Sequence, residues 1–526
     1  MPTMPLQCAI CGGPFTQPKF QLPQSPFSKI IGGNDRLPSS QVTAAQEMIS
    51  KWTLQIQQLG EQIIQIHRHV DTLRQQCHTL QSHLTLHKAL IAPISRLPPE
   101  ILAEIFLHCV EAKWLDIPPT ISKRSDIRLD KSPCRLAGTC RRWRIIAHST
   151  PRLWSCIALV LRPKHVKPDV EFTKIWLDRS VASPLSICLE SDGAFKSDLQ
   201  PLMELFASCC HRWRNVRVCL PSNMTRRLSS VKDHLMALQW LFIVTQNELL
   251  PLEMFSVAPQ LRHLFFDETV SSPSFIVPWS QLQSCVMASS CSAQTYLDIL
   301  SLTSNIENFS LDLSTATHNH PPRSVHLQSL RSLKFKAQRG LDAAVFLDAL
   351  DLPSLCNLSY INLSPEYNPC PHLPSLLSRC ALKSLTFQTH LTFDAPDGRN
   401  DMLEILLQTP QLVDLNIING GSGCLSHEFL ASFVNGLPGS VDIIPLLETL
   451  TLHVNPYQRG FDMSLFIDGL ESRMNMQNGV ILKSVDITLI IYNENQELPI
   501  FLARLRQLQN SGLDLHVSRM GRGNLL

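Results

Sequence analysis

Cys8 and Cys11, within Cys8-Ala9-Ile10-Cys11-Gly12-Gly13, have the C-x-x-C-G-G spacing of half a tetrahedral zinc site. Such a site needs four ligands, and the next cysteine, Cys77, falls inside a helical pattern. The pair reads as part of a tail, or as a vestigial or intermolecular site, and no metal or other cofactor is expected. Gly420-Gly421-Ser422-Gly423 is glycine-rich, yet no helix-opening lysine follows it to hold a phosphate, so it reads as a turn. Cys209-Cys210-His211 could pair a nucleophile with a base, but its place before Trp213 reads as the end of a repeat helix. His67, His69, His83 and His87 fall on the polar side or edge of the helical pattern, where solvation is the usual state. The sequence holds no P-loop, dinucleotide fingerprint, H-E-x-x-H or G-x-S-x-G frame. These residues assemble no catalytic constellation, and the chain is expected to bind rather than to catalyse.

Composition narrows what it binds. A chain of 526 residues exceeds one core and implies two or more structural units. Hydrophobic residues at 44% against 17% charged ones describe a globular chain. A net charge of +2 gives no field for a nucleic acid or membrane partner. The 17 scattered cysteines, several at apolar-phase positions such as Cys109, Cys140 and Cys285, read as reduced thiols. With no secretory leader and no apolar run near the ~18 residues of a membrane helix, the expected address is the cytoplasm or nucleus. Three of the four N-x-S/T triplets, at Asn223, Asn308, Asn357 and Asn362, overlap apolar strand patterns and are taken as coincidence.

Four segments follow from the patterning. Residues 1–40, rich in Pro, Gly, Gln and Ser, read as a flexible tail. Residues 41–93 predict one continuous helix of about 75 Å, since no proline interrupts it before Pro93. Ile49, Trp52, Ile56, Leu59, Ile63, Ile66, Val70, Leu73, Cys77, Leu80 and Leu84 recur at steps of three and four, the seam of a coiled coil. That seam serves either a homodimer through residues 49–84 or packing back on its own chain.

Next, Arg96-Leu97-Pro98-Pro99-Glu100-Ile101-Leu102-Ala103-Glu104-Ile105-Phe106-Leu107 predicts a short helix, with prolines in its first turn and acids near its positive end. Ile101, Leu102, Ile105, Phe106 and Cys109 form a stripe too wide for one interface. One part should face Trp143 and the other a partner. Residues Pro133–Ala147, containing Cys140-Arg141-Arg142-Trp143-Arg144-Ile145-Ile146, predict a second amphipathic helix, followed by Ser149-Thr150-Pro151-Arg152-Leu153-Trp154. Both stretches, in this order over about Ile94–Leu159, resemble an F-box of the fungal F-box-like type. The resemblance implies docking on the small adaptor subunit of a cullin–RING ubiquitin ligase through Leu97, Pro98, Ile101, Leu102, Ile105 and Phe106. Leu136, Cys140, Trp143, Ile146 and Trp154 would build the core or rim. Gly138 departs from the family's apolar residue and costs about 1 kcal/mol of helix propensity. The stretch Glu111–Ser132 between the halves reads as an exposed loop.

Beyond residue 160 the frame L-x-x-L-x-L recurs. Its rungs are Leu261-Leu264-Phe266, Leu282-Cys285-Met287, Ile306-Phe309-Leu311, Leu330-Leu333-Phe335, Leu358-Ile361-Leu363, Leu382-Leu385-Phe387, Leu412-Leu415-Ile417, Leu447-Leu450-Leu452 and Leu482-Val485-Ile487. Weaker members precede them at Trp213-Val216-Val218 and Leu235-Leu238-Trp240. Helical stretches lie between rungs, a pattern that resembles leucine-rich repeats lacking most of the asparagines. No unit can bury its own apolar face, so neighbours must stack. The expected fold class is α/β: an N-terminal long (coiled-coil) helix, a small all-α F-box-like domain at 94–160, and an α/β leucine-rich-repeat solenoid at 161–526. The two resemblances together imply the substrate-recognition subunit of an SCF-type ubiquitin ligase. An interaction scaffold with a degenerate F-box, self-associating through its coiled helix, is the alternative. The interleaved residues should line the inner strand face, and the protein substrate is placed there on Phe265, Lys334, Asn362 and Asn416.

Overall fold

No proline interrupts residues 42–91, and in the computed structural model they form a single helix of 50 residues, α1 (Val42–Ile91). The structure describes residues 25–27, 36–110, 132–161, 165–191, 199–246, 253–267, 276–313, 324–337, 340–362, 372–389, 401–418, 425, 427–434, 443–455, 461–474, 481–490, 498–520 and 522–525. Cys8, Cys11, most of residues 1–40, residues 111–131 and the glycine-rich stretch at 420–423 lie outside them. The chain divides into two units, Met1–Pro98 and Pro99–Leu526.

In the first unit α1 stops where Pro93 forces it to. Ala92 takes φ −57° and ψ 138°, because the following ring excludes the helical region, and a 3-10 turn at Pro93–Arg96 follows. Hydroxyls that could compete with the helix are turned into it. Thr53, Thr72, Thr79 and Thr85 each donate to the carbonyl four residues back at 2.7–2.9 Å.

The second unit opens with α2 (Pro99–Cys109), α3 (Ser132–Thr139) and α4 (Arg141–His148), then a 3-10 turn at Pro151–Trp154. The single helix expected over Pro133–Ala147 is broken at Cys140, which is extended (φ −157°, ψ 170°) and caps α4 by accepting from the Trp143 N–H at 3.4 Å. Arg144 Nε donates to the Ala137 carbonyl at 3.0 Å, so the end of α3 gains a partner from the helix that follows it. Gly138 lowers the cost of stopping there.

A parallel sheet follows. Its strands are β1 (Cys156–Leu161), β2 (Leu185–Ser191), β3 (Trp213–Pro221), β4 (Trp240–Gln246), β5 (His263–Asp267), β6 (Ser284–Cys291) and β7 (Asn308–Leu313). After the short β8 (Val325–His326) come β9 (Ser332–Ala337), β10 (Leu350–Asp351), β11 (Asn357–Asn362), β12 (Ser384–Thr389), β13 (Asp414–Ile418), β14 (Thr449–Val454), β15 (Ser484–Leu489), β16 (Asp514–Arg519) and β17 (Arg522–Asn524). Each strand pairs with its sequence neighbours, save that β8 and β10 form a separate two-stranded ladder. Pairing is parallel through β16, and β17 turns back antiparallel on it. Helices or 3-10 turns lie in most returns among the described residues, while the return from β7 to β9 holds β8, and the arrangement is consistent with a leucine-rich-repeat solenoid. Among the described residues no helix is long and apolar enough to cross a membrane.

The core is the column the ladder anticipates. Leu333, Leu358, Leu385, Leu415, Leu450, Val485 and Leu515 stand in register on successive strands, and all are buried. Two rungs sit three residues from where the sequence placed them. The buried sets are Leu238-Leu241-Ile243, not Leu235-Leu238-Trp240, and Leu355-Leu358-Tyr360, not Leu358-Ile361-Leu363. In both places apolar residues three apart satisfy the frame at two phases, and only strand register decides. With the second frame corrected, steps between rungs from Leu261 onward become 21, 24, 24, 25, 27, 30, 35 and 35 residues, a steady rise. The shortest repeats close with 3-10 turns such as Glu253–Phe255 and Trp279–Gln281, while the longest hold helices such as Met463–Met474 and Leu498–Asn510.

Candidate functional site

Helix α2 divides its apolar residues between two faces. Leu102 and Phe106, four apart, are fully buried, and the Phe106 ring lies 4.8 Å from that of Trp143, tilted by 54°. Ile101 and Ile105, also four apart but one position earlier, remain 48% and 37% exposed. One residue of offset is about 100° around a helix, enough to separate an inward stripe from an outward one. The sequence reading assigned Leu102 and Phe106 to a partner contact. Their complete burial corrects this: they hold α2 on α4, and Ile101 and Ile105 carry the free surface. Leu97 and Pro98 belong to the first unit; Leu97 is partly buried and Pro98 exposed.

The core beneath α2 continues through Ala137, Ile146, Ala147, Leu153 and Trp154, all buried. Trp154 Nε1 donates to the Ala147 carbonyl at 2.8 Å, which satisfies its one polar atom. Its ring meets Trp176 edge-on at 4.9 Å, and the Arg179 guanidinium lies 4.3 Å from its centroid. Both partners belong to α5 (Val166–Ser180), the first return helix of the sheet. Leu136 and Trp143 are half-buried and Cys140 is exposed, so they form the rim. Sequence reasoning missed Ile145, which stands 60% exposed on α4 beside Arg141 and Arg144. Its adjacency to buried Ile146 was the signal.

Residues 94–160 match the F-box-like family. No curated protein matches the chain. F-boxes are docking modules without catalytic residues of their own, and their partner is an adaptor subunit. In this F-box-like domain Ile101 and Ile105 are apolar residues that α2 leaves exposed.

On the inner face of the sheet one row runs Ala158, Cys188, Arg217, Phe242, Phe265, Val286, Ser310, Lys334, Ser359, Thr386, Asn416 and Thr451, strand by strand. At about 4.8 Å between strands, Phe265 and Asn416 lie about 29 Å apart with Lys334 midway. Lys334 is exposed and Asn416 half-buried. Two expectations need correction. Phe265 is only 5% exposed, because its ring stacks on Phe242 at 4.1 Å and 11°. Asn362 is buried on the opposite, core face beside Leu358 and Tyr360, a direct result of the slipped frame. Ser359 and Ile361 take the inward places it was assigned.

The sequence also missed the row's apolar start. Trp240 stacks towards Phe242 at 5.9 Å, the Arg217 guanidinium covers the other Phe242 neighbour position at 4.1 Å, and Arg217 Nε donates to Glu190 at 3.1 Å. The correct frame for β4 would have revealed Phe242 as an interleaved residue. Further along, Lys336 pairs with Asp312 at 2.9 Å, and Asp414 accepts from the hydroxyls of Ser384 and Thr449.

Burial pushes Cys209 and Cys210 up from the usual thiol range, away from the thiolate a nucleophile requires. Among the described residues no group of three or more His, Cys, Asp or Glu residues could hold a metal ion.

Proposed function

We propose that the chain is the substrate-recognition subunit of a cullin–RING ubiquitin ligase, its F-box-like domain docking the adaptor and its sheet face holding a protein substrate. The observation that carries the reading is the division of α2 into a buried stripe and an exposed one within the matched segment. A helix needed only for its own core has no use for two isoleucines in water. Adaptor contact is assigned to Leu97, Pro98, Ile101 and Ile105, with Ile145 added. Substrate contact is assigned to the inner row around Lys334 and Asn416. Such a receptor performs no bond chemistry. It raises the local concentration of substrate near the ubiquitin-loaded enzyme.

Pull-down of the adaptor tests the first half. Exchanging Ile101 and Ile105 for Glu, or Leu97 and Pro98 for Ala, should abolish adaptor capture while the circular dichroism of the sheet stays unchanged. Undiminished capture by both variants would sink the assignment. The second reading, a scaffold with a degenerate F-box, is favoured by the exposed seam of α1 and by Gly138. It requires that the unaltered chain capture no adaptor at all.

A further inference from the structure

Among the exposed large apolar side chains of α1, nine that stand 37–70% exposed share one seam: Ile49, Ile56, Leu59, Ile63, Ile66, Val70, Leu73, Leu80 and Leu84. With Trp52 and Cys77 they fill every first and fourth position of five consecutive heptads. We propose that α1 pairs with the same helix of a second copy of this chain, as a parallel, in-register, two-stranded coiled coil in which the two Cys77 thiols face each other.

The composition of the seam selects this arrangement. First positions are Ile49, Ile56, Ile63, Val70, Cys77 and Leu84; fourth positions are Trp52, Leu59, Ile66, Leu73 and Leu80. β-branched residues in the first set, with leucine predominant in the second, are what parallel dimers prefer. No charged or amide side chain interrupts the seam between Ile49 and Leu84.

Charge placement points to a copy of the chain as the occupant. The outermost position holds Glu47, Leu54, Glu61 and Arg68, and Lys51 and Asp71 lie next to it. The flanks beside the seam hold Thr53, Gly60, His67, Arg74 and Gln81 on one side and Gln55, Gln62, His69, Gln76 and His83 on the other. No acid stands on either flank, so these positions offer nothing to select a basic partner, and little to repel an identical helix. Acids and bases alternate around the polar surface, unlike the basic face of a membrane-surface helix. The second copy supplies a seam of the same length and layer order.

The size suffices. At these exposures each side chain presents on the order of 100 Å², so two facing sets of nine would hide roughly 1,800 Å², within the about 1,200–2,000 Å² of specific interfaces. This pairing stands whether or not the F-box-like domain binds its adaptor.

Sedimentation equilibrium of the full chain, with a short bismaleimide crosslinker as orientation probe, tests it. The expected mass is twice the 59.2 kDa of one chain, falling to the single value in the Ile63→Glu, Val70→Glu double variant. The crosslinker should give a covalent dimer that is lost in Cys77→Ser, while Cys77→Ser keeps the doubled mass in solution. An antiparallel pair centred on the middle of the seam would hold the two thiols about 30 Å apart and give no Cys77-dependent product. A single-chain mass, a mass of three or four chains, a double variant that stays dimeric, or a dimer without that product would each overturn the proposal. Adaptor capture measured on the same samples reports separately on the proposed function.

Discussion

Arg217 shows how a single residue can belong to both fold and face. It projects from β3 to the inner side of the sheet, where an exposed cation would be ordinary, yet its side chain is only 3% exposed and that of Glu190 8%. Phe242 lies against the guanidinium and Glu190 accepts from Nε, while Nη1 has no hydrogen-bond partner among the described residues. A buried ion pair adds little over a well-packed apolar pair, but removing one member leaves an uncompensated charge. Glu190→Ala should therefore destabilise the protein by about 3–5 kcal/mol, read as a lower urea midpoint. Glu190→Leu combined with Arg217→Met should recover most of that loss. Equal damage from the single and double variants would show that the pair does not act as a unit.

At the scale of elements, the legible features were those fixed by local pattern. The bounds of α1 followed from Pro93 and an unbroken heptad. The strands followed from paired leucines two apart, because alternate residues of a strand face opposite ways. Which half of the α2 stripe turns inward was not legible, since Leu102 and Ile101 are alike in chemistry and only the ring of Trp143 chooses between them. The break at Cys140 was hidden by a helical pattern that runs through it. The fate of Asn362 and Phe242 hung on a three-residue choice of frame that strand register alone makes. One position in α1 permits a direct test of local propensity. A Cβ built on Gly60 meets nothing within 4 Å, so the glycine serves no close packing. Gly60→Ala should stabilise α1 by about 1 kcal/mol, seen as higher helicity on thermal melting. Unchanged or lower helicity would mean that the glycine is required in the assembled helix.

For the molecule as a whole, three histidines tie stability to pH. Burial, followed by Arg179 and Arg144, lowers the pKa of His148 from its ordinary 6.5. Burial and Arg262 lower His263. Burial lowers His453, with Asp486 opposing. Since each folded pKa lies below the unfolded one, the unfolded chain takes up protons first as pH falls. The stabilisation is whole above pH 6.5 and is lost progressively below it. Urea midpoints should fall as pH drops through and below 6.5, and exchanging the three residues for Gln should flatten that arm. A midpoint that holds steady across this range in the unaltered chain would contradict the assignment.

Trp154 closes the F-box-like core and, in the same side chain, meets the first return helix of the sheet, two residues before β1 begins. A truncation that removes residues 94–160 therefore does not leave an intact sheet without its F-box-like domain. It takes most of β1 with it, uncovers the edge of β2 and strips Trp176 of its neighbour. In a cell such a fragment would present a raw strand edge to chaperones and proteases, and its abundance would fall. Loss of docking and loss of the protein can be told apart only by changes as small as Ile101 and Ile105, which leave the tryptophan in place.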